Sequence, residues 1–165
     1  MALIKIDQSH CNYHLSEALK QAAWSVVFTD AGRVSRGGKG LQGACLHIFE
    51  SQRFPIPDIV AMKGDYILLV EIDGAFQKAE ASLRTYRKRQ EGLINELAAA
   101  AGVVGVQHLL LAYCQTGICN LATIERIAFQ VSGCAEITIC FIAARTPIVF
   151  SSSSDFGKNI LSKAQ

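Results

Sequence analysis

The chain has 165 residues, 50% of them hydrophobic, and its 16 basic and 14 acidic residues leave a formal net charge of +2. That length fits one domain, and a chain of about 150 residues buries roughly 68–70% of its unfolded surface, so this apolar content excludes disorder as the dominant state. Glu71, Asp73, Gln107 and Gln115 interrupt the richest apolar stretches, and no run approaches the roughly 20 residues of a membrane helix. Residues 1–7 lack a basic start followed by a long apolar region, so no secretion signal is expected and the reading is a soluble, cytoplasmic protein. Six cysteines in that setting are expected to be reduced and mostly buried, and none forms a C-x-x-C pair, which argues against structural zinc.

In chain order, Leu15, Leu19 and Ala22 share one face of a helix expected over residues 14–23. The β-branched and aromatic content of residues 24–28 predicts a strand. A glycine-rich basic segment, residues 32–40, reads as a loop or hairpin tip, and residues 45–49 as a second strand. Residues 58–62 and 66–72 read as the arms of a hairpin around Lys63-Gly64-Asp65. The second arm is almost continuously apolar, as in a strand covered on both faces. A long helix is expected over residues 77–101, ended by Gly102, then a buried strand at 109–114, a helix at 121–131 and a last central strand at 137–143. The tail from Ser151 is serine-rich and expected to be loosely held. The order α-β-β-β-α-β-α-β predicts one α/β sandwich around a mixed sheet, spanning residues 1–165 with its core at about 14–143.

Three acids interrupt these apolar strands. Asp58 starts one hairpin arm and Glu71 lies near the end of the other, with Asp73 two residues on and therefore on the same side of an extended strand. Antiparallel pairing brings Asp58 opposite the Glu71–Asp73 end, where three carboxylates can converge. Clustered carboxylates repel and are costly to bury, so such a group calls for a cation, and oxygen-only ligands suit Mg²⁺ first and Mn²⁺ second. A single acid at a strand end is ordinarily a solvated one. The case for a site rests on having three at this spacing.

Pro57-Asp58, a short strand and turn, then Glu71-Ile72-Asp73 at the end of an apolar strand resembles the PD-(D/E)xK nuclease motif of restriction-endonuclease-like enzymes. The resemblance covers about residues 14–114 and is sharp only at Pro57, Asp58 and Glu71. It implies a three-layer sandwich with an α-β-β-β-α-β core and Mg²⁺-dependent hydrolysis of DNA phosphodiester bonds. It also implies an additional metal-facing acid, Glu17, in the first helix, and a basic helix flanking the site, here carrying Lys78, Arg84, Tyr86, Arg87, Lys88 and Arg89. Where the motif usually has lysine this chain has Asp73. Three readings follow: an acid-bearing site in which a second metal supplies the positive charge, a displaced lysine (Lys78) reaching back, or a scaffold that has lost catalysis. A small nuclease domain has one site, so a homodimer or partner subunit is expected for cutting both strands, with residues 118–150 as the apolar surface.

Arg33, Arg36 and Lys39 on the glycine-rich loop are candidate phosphate contacts, as are Arg84, Arg87 and Lys88, against the bland reading of solvated surface. Gly38-x-Gly40-x-x-Gly43 satisfies G-x-G-x-x-G, but the strand expected after it speaks against a dinucleotide site, leaving a nucleotide-binding regulatory domain as a remote alternative. His10, His14, His47 and His108 show no ligand spacing and read as structural. The main alternative to an enzyme is an inactive nuclease-like module that binds nucleic acid or a partner protein.

Overall fold

An apolar strand with no polar interruption needs cover on both sides, and the two central strands have it. The computed structural model describes residues 6–30, 40–105 and 108–163. Its elements are α1 (Gln8–Gln21), β1 (Ser25–Thr29), α2 (Leu41–Ser51), β2 (Ile59–Lys63), β3 (Tyr66–Asp73), α3 (Phe76–Lys88), α4 (Gln90–Ala101), β4 (His108–Gln115), α5 (Leu121–Val131), β5 (Ile137–Ala143), β6 (Thr146–Ser152) and α6 (Asp155–Lys158). The strands form one mixed sheet in the order β1-β2-β3-β4-β5-β6. β1, β2 and β3 run antiparallel, β3, β4 and β5 parallel, and β6 returns antiparallel to β5.

Side chains alternate across this sheet and fill two cores. On one side Val60, Met62, Ile67, Leu69, Leu111 and Tyr113 pack with Phe49 of α2, Leu83 of α3, Leu97 of α4 and Ile127 of α5. On the other, Ile59, Ala61, Leu68, Val70 and Ala112 pack with Leu15 and Leu19 of α1 and with Ile160. Helices on both faces of a mixed sheet make three layers, as expected for an α/β sandwich. Each fully buried Leu or Ile contributes roughly 1.5–3 kcal/mol through removal from water.

Several elements depart from the expected ones. α1 starts at Gln8, not at residue 14, because Asp7 caps it by accepting from His10 N at 3.0 Å. Residues 45–49, expected as a strand, lie within the helix α2. There Leu41, Cys45 and Phe49 recur every four residues toward the core while His47 and Glu50 face out, a period that a five-residue window hides. Gly40, at φ +77°, makes the turn into α2, so the glycine motif does open a helix. The strand before it, β1, pairs antiparallel with β2, so no parallel crossover follows as a dinucleotide fold requires.

The single helix expected over 77–101 breaks at Arg89, whose φ of −116° and ψ of 26° leave the helical region. Phe76, Ala79, Leu83 and Tyr86 hold α3 on the sheet, whereas Leu93 and Leu97 bury a differently placed face of α4. Gly102 ends α4 in the left-handed region, as expected.

The tail is docked and not loose. Ser151 and Ser152 belong to β6 and pair with Thr138 and Ile137. Ser154 caps α6, Phe156 stacks on Tyr66 with centroids 3.8 Å apart, and Trp24 Nε1 donates to the Ile160 carbonyl at 2.9 Å. A Cβ at Gly157 would collide with Ser152 Oγ, so only glycine lets the chain approach β6 this closely. Trp24→Phe should therefore cost about 1 kcal/mol, read as a lower denaturant midpoint at unchanged slope, and should speed proteolysis after residue 152. Equal cleavage in variant and wild type would contradict a docked tail.

Candidate active site

The site follows from one tight turn. Gly64, at φ +55°, lets β2 reverse into β3, and the resulting register pairs Ile59 with Val70. Continued by one residue, that register sets Asp58 opposite Glu71. Asp58 N donates to the Val70 carbonyl at 3.0 Å, and Asp58 Oδ2 accepts from Ile72 N at 2.7 Å. Strand alternation from Val60 and Leu69 puts Asp58, Glu71 and Asp73 on the α2–α5 side of the sheet.

Two side chains from α1 brace the strand ends from the opposite side. Asn12 Nδ2 donates to the Asp58 carbonyl at 3.0 Å and Gln8 Nε2 to the Ile72 carbonyl at 2.6 Å. Asp30, just past β1, joins the group: its N–H donates to the Asp58 carbonyl at 2.9 Å, and its charge acts on both Asp58 and Glu71.

Burial is the main force on these acids. It pushes the Asp58 carboxyl up to about 6 against the bond from Ile72 N, with Asp30 and Asp73 adding repulsion. It pushes Glu71 up to about 8, opposed by the bond from Tyr86 and reinforced by Asp58, Asp73 and Asp30. Tyr86 Oη lies 2.6 Å from Glu71 Oε1 and 2.9 Å from the Pro55 carbonyl oxygen. A hydroxyl has one proton to give. With Glu71 protonated, its O–H donates to Oη and Oη–H to Pro55; with Glu71 ionised, Oη–H turns to the carboxylate.

Among the described residues, no ion pair reaches Asp58, Glu71 or Asp73. Nor does any group of three His, Cys, Asp or Glu side chains come close enough to hold a metal together. The expected convergence of three carboxylates is thus a facing pair, Asp58 and Glu71, with Asp73 beside it. Asp73 Oδ1 accepts from Ala75 N at 3.0 Å ahead of α3, and its carbonyl accepts from Thr116 N at 3.1 Å, with Tyr113 Oη 3.0 Å away.

Glu17 stands apart from this group. It pairs with Lys20 at 3.2 Å on α1, and α1 covers the other face of the sheet. Lys78 is exposed in the first turn of α3. Of the helix expected to flank the site, Tyr86 reaches Glu71, while its arginine side chains make other contacts. Arg87 pairs with Glu136 and borders a cleft with Tyr66 and His108, which begin β3 and β4, at the end opposite Asp73. Arg84 pairs with Glu80 at 2.8 Å, Arg89 lies over the Phe54 ring at 4.4 Å, and Lys88 is exposed. Arg33, Arg36 and Lys39 lie outside the described residues.

A cleft of about 450 Å³ opens at the carboxyl ends of β3 and β4, lined by Gly74, Gln77, Gln115, Thr123, Arg126 and Gln130 among others. Gln115 is buried there, its Nε2 donating to the Gly74 carbonyl at 2.9 Å and its Oε1 accepting from Tyr113 Oη at 2.7 Å. Sequence reasoning missed Asp30, Gln115 and Arg126 as neighbours of the site, and named Tyr86 only as a member of the flanking helix. Gln115 left a trace as the polar end of an apolar strand, whereas Tyr86 was indistinguishable from the core stripe of its helix. Comparison with protein-family models, curated proteins and solved structures returns no match.

The two raised acids set a pH dependence. Asp58 and Glu71 rise to about 6 and about 8 from ordinary values of 3.8 and 4.5, so the folded chain binds more protons than the unfolded one between those limits. Their contribution to stability is full below about pH 4 and is lost as pH rises through about 6 and then 8. In chelator, the denaturant midpoint of wild type should fall over that interval relative to an Asp58→Asn/Glu71→Gln variant. A midpoint that rises relative to the variant would contradict the assignment.

Proposed function

We propose that the protein is a Mg²⁺- or Mn²⁺-dependent nuclease that hydrolyses DNA phosphodiester bonds on a restriction-endonuclease-like plan. The observation that carries this reading is the Asp58–Glu71 pair. Two carboxyl groups, partly buried and forced together by strand register, have no ion-pair partner among the described residues. Sheet topology supports it: with α2 set aside as an insertion between β1 and β2, and α3–α4 counted as one crossover, α1 to β4 run in the order α-β-β-β-α-β.

The donor set fits a hard divalent ion, since every candidate ligand atom is a carboxylate oxygen. Asp58 and Glu71 would hold it, and it would lower the pKa of water and offset charge developing on the phosphate. Tyr86 fixes the Glu71 carboxyl in place through its short hydrogen bond. Asp73 presents its second oxygen, Oδ2, as a further acceptor for orienting the attacking water. Arg126 and Gln77 give the adjacent cleft a cation and an amide donor for the phosphate and sugar of the strand, beside Gln115, whose Nε2 is held by the Gly74 and Thr116 carbonyls.

Duplex cleavage then requires a second copy or a partner subunit. Among the described residues, four of the six exposed large hydrophobic ones, Ile118, Leu121, Phe129 and Ile142, fall within residues 118–150, which supports an association surface there. One observation favours the second reading, a nucleic-acid-binding scaffold without catalysis: Asp73 stands where a lysine would serve, and its Oδ1 is engaged by Ala75 N.

Plasmid DNA incubated with Mg²⁺, Mn²⁺ or chelator separates the two. Cleavage should depend on the metal and fall on the order of 10³-fold in Asp58→Asn and in Glu71→Gln, with DNA binding retained. Binding without cleavage under every metal condition would favour the scaffold, and full activity in Asp58→Asn would overturn the site.

A further inference from the structure

The early start of α1 changes what its histidines can do. His10 and His14 are one turn apart on the same helical face, with ring centroids 4.4 Å apart. Both rings are only partly buried. His10 Nε2 hydrogen-bonds the Ala144 carbonyl in the turn between β5 and β6, which leaves Nδ1 as its unprotonated nitrogen when the ring is neutral. That is the arrangement in which one ring nitrogen is oriented by a backbone carbonyl and the other ligates a metal. Neither ring nitrogen of His14 has a hydrogen-bond partner among the described residues.

From this geometry we propose that His10 and His14 form a two-nitrogen site for a late divalent transition ion such as Ni²⁺, Cu²⁺ or Zn²⁺. Paired imidazoles at this spacing on a helix match the bite of one such ion, with nitrogens about 2.0–2.1 Å from it for Zn²⁺. Imidazole also selects these ions over Mg²⁺, which prefers oxygen. Water completes the coordination shell, since no third His, Cys, Asp or Glu stands close enough to share it among the described residues. Glu17 and Arg145 are the charged neighbours of His14; the carboxylate attracts the ion and the guanidinium opposes it. α1 packs on the face of the sheet away from the carboxylates of Asp58 and Glu71, so the two centres are separate and differ in chemistry. Through His10 and Ala144, an ion there clips α1 to the β5–β6 turn.

Calorimetric titration of the full reduced chain with Ni²⁺ tests the site. One equivalent should bind, at least about tenfold more weakly in His10→Gln and in His14→Gln, and unchanged in Asp58→Asn/Glu71→Gln. Paramagnetic broadening of amide signals should centre on α1 and residue 144. No binding, undiminished binding in either histidine variant, or loss only in the carboxylate variant would overturn the proposal. Glutamine keeps a donor for the Ala144 carbonyl, so a folded His10 variant is available for the comparison.

Discussion

The pairing of Ile59 with Val70 across the β2–β3 hairpin decides which acids meet. Shifted by one residue, β2 would turn Asp58 to the opposite side of the sheet, beneath α1, and would carry Val60 and Met62 out of the core they fill. The hydrophobic pattern therefore locks the register, and the register brings two carboxyl groups together at the end of the hairpin. Gly64 makes the turn short enough for that pairing to begin at once, with Lys63 opposite Tyr66.

Such a pair opposes folding, and the rest of the molecule offsets it. Burial disfavours each charge and the neighbouring acids add repulsion. Against this stand two cores, one on each side of the sheet, and a ring of directed hydrogen bonds from Ile72 N, Tyr86, Asn12 and Gln8. Those bonds hold strand ends and carboxyl groups in fixed positions, which is what a preorganised ion site needs. Arg126 and the amides of Gln77 and Gln115 gather at the carboxyl ends of the parallel strands, where open α/β sheets place their ligand crevices.

Much of this was legible from residue order. The hairpin, β4, α5 and β5 follow from period and turn chemistry, and the facing of Asp58 and Glu71 follows from the hairpin alone. What escaped was set by contacts distant in sequence. α2 was read as a strand because Cys45 to Phe49 is short and apolar, and only the four-residue recurrence from Leu41 marks it as a helix. The break at Arg89 depends on where α4 finds its partner, and the docking of the serine-rich tail on Trp24 and Tyr66, which spans most of the chain. Glu17 shows the limit of carrying a role over by position, since its helix lies on the wrong side of the sheet. The His10–His14 pairing escapes a reading in which the helix starts at His14, since that leaves His10 outside it.

The most direct test of the central claim is binding of Mn²⁺ to the metal-free chain, followed by loss of the free ion's six-line electron paramagnetic resonance signal. If Asp58 and Glu71 are the ion's ligands, wild type quenches the signal, while Asp58→Asn and Glu71→Gln each leave it largely intact with an unchanged circular dichroism spectrum. Undiminished quenching by both folded variants would contradict the account.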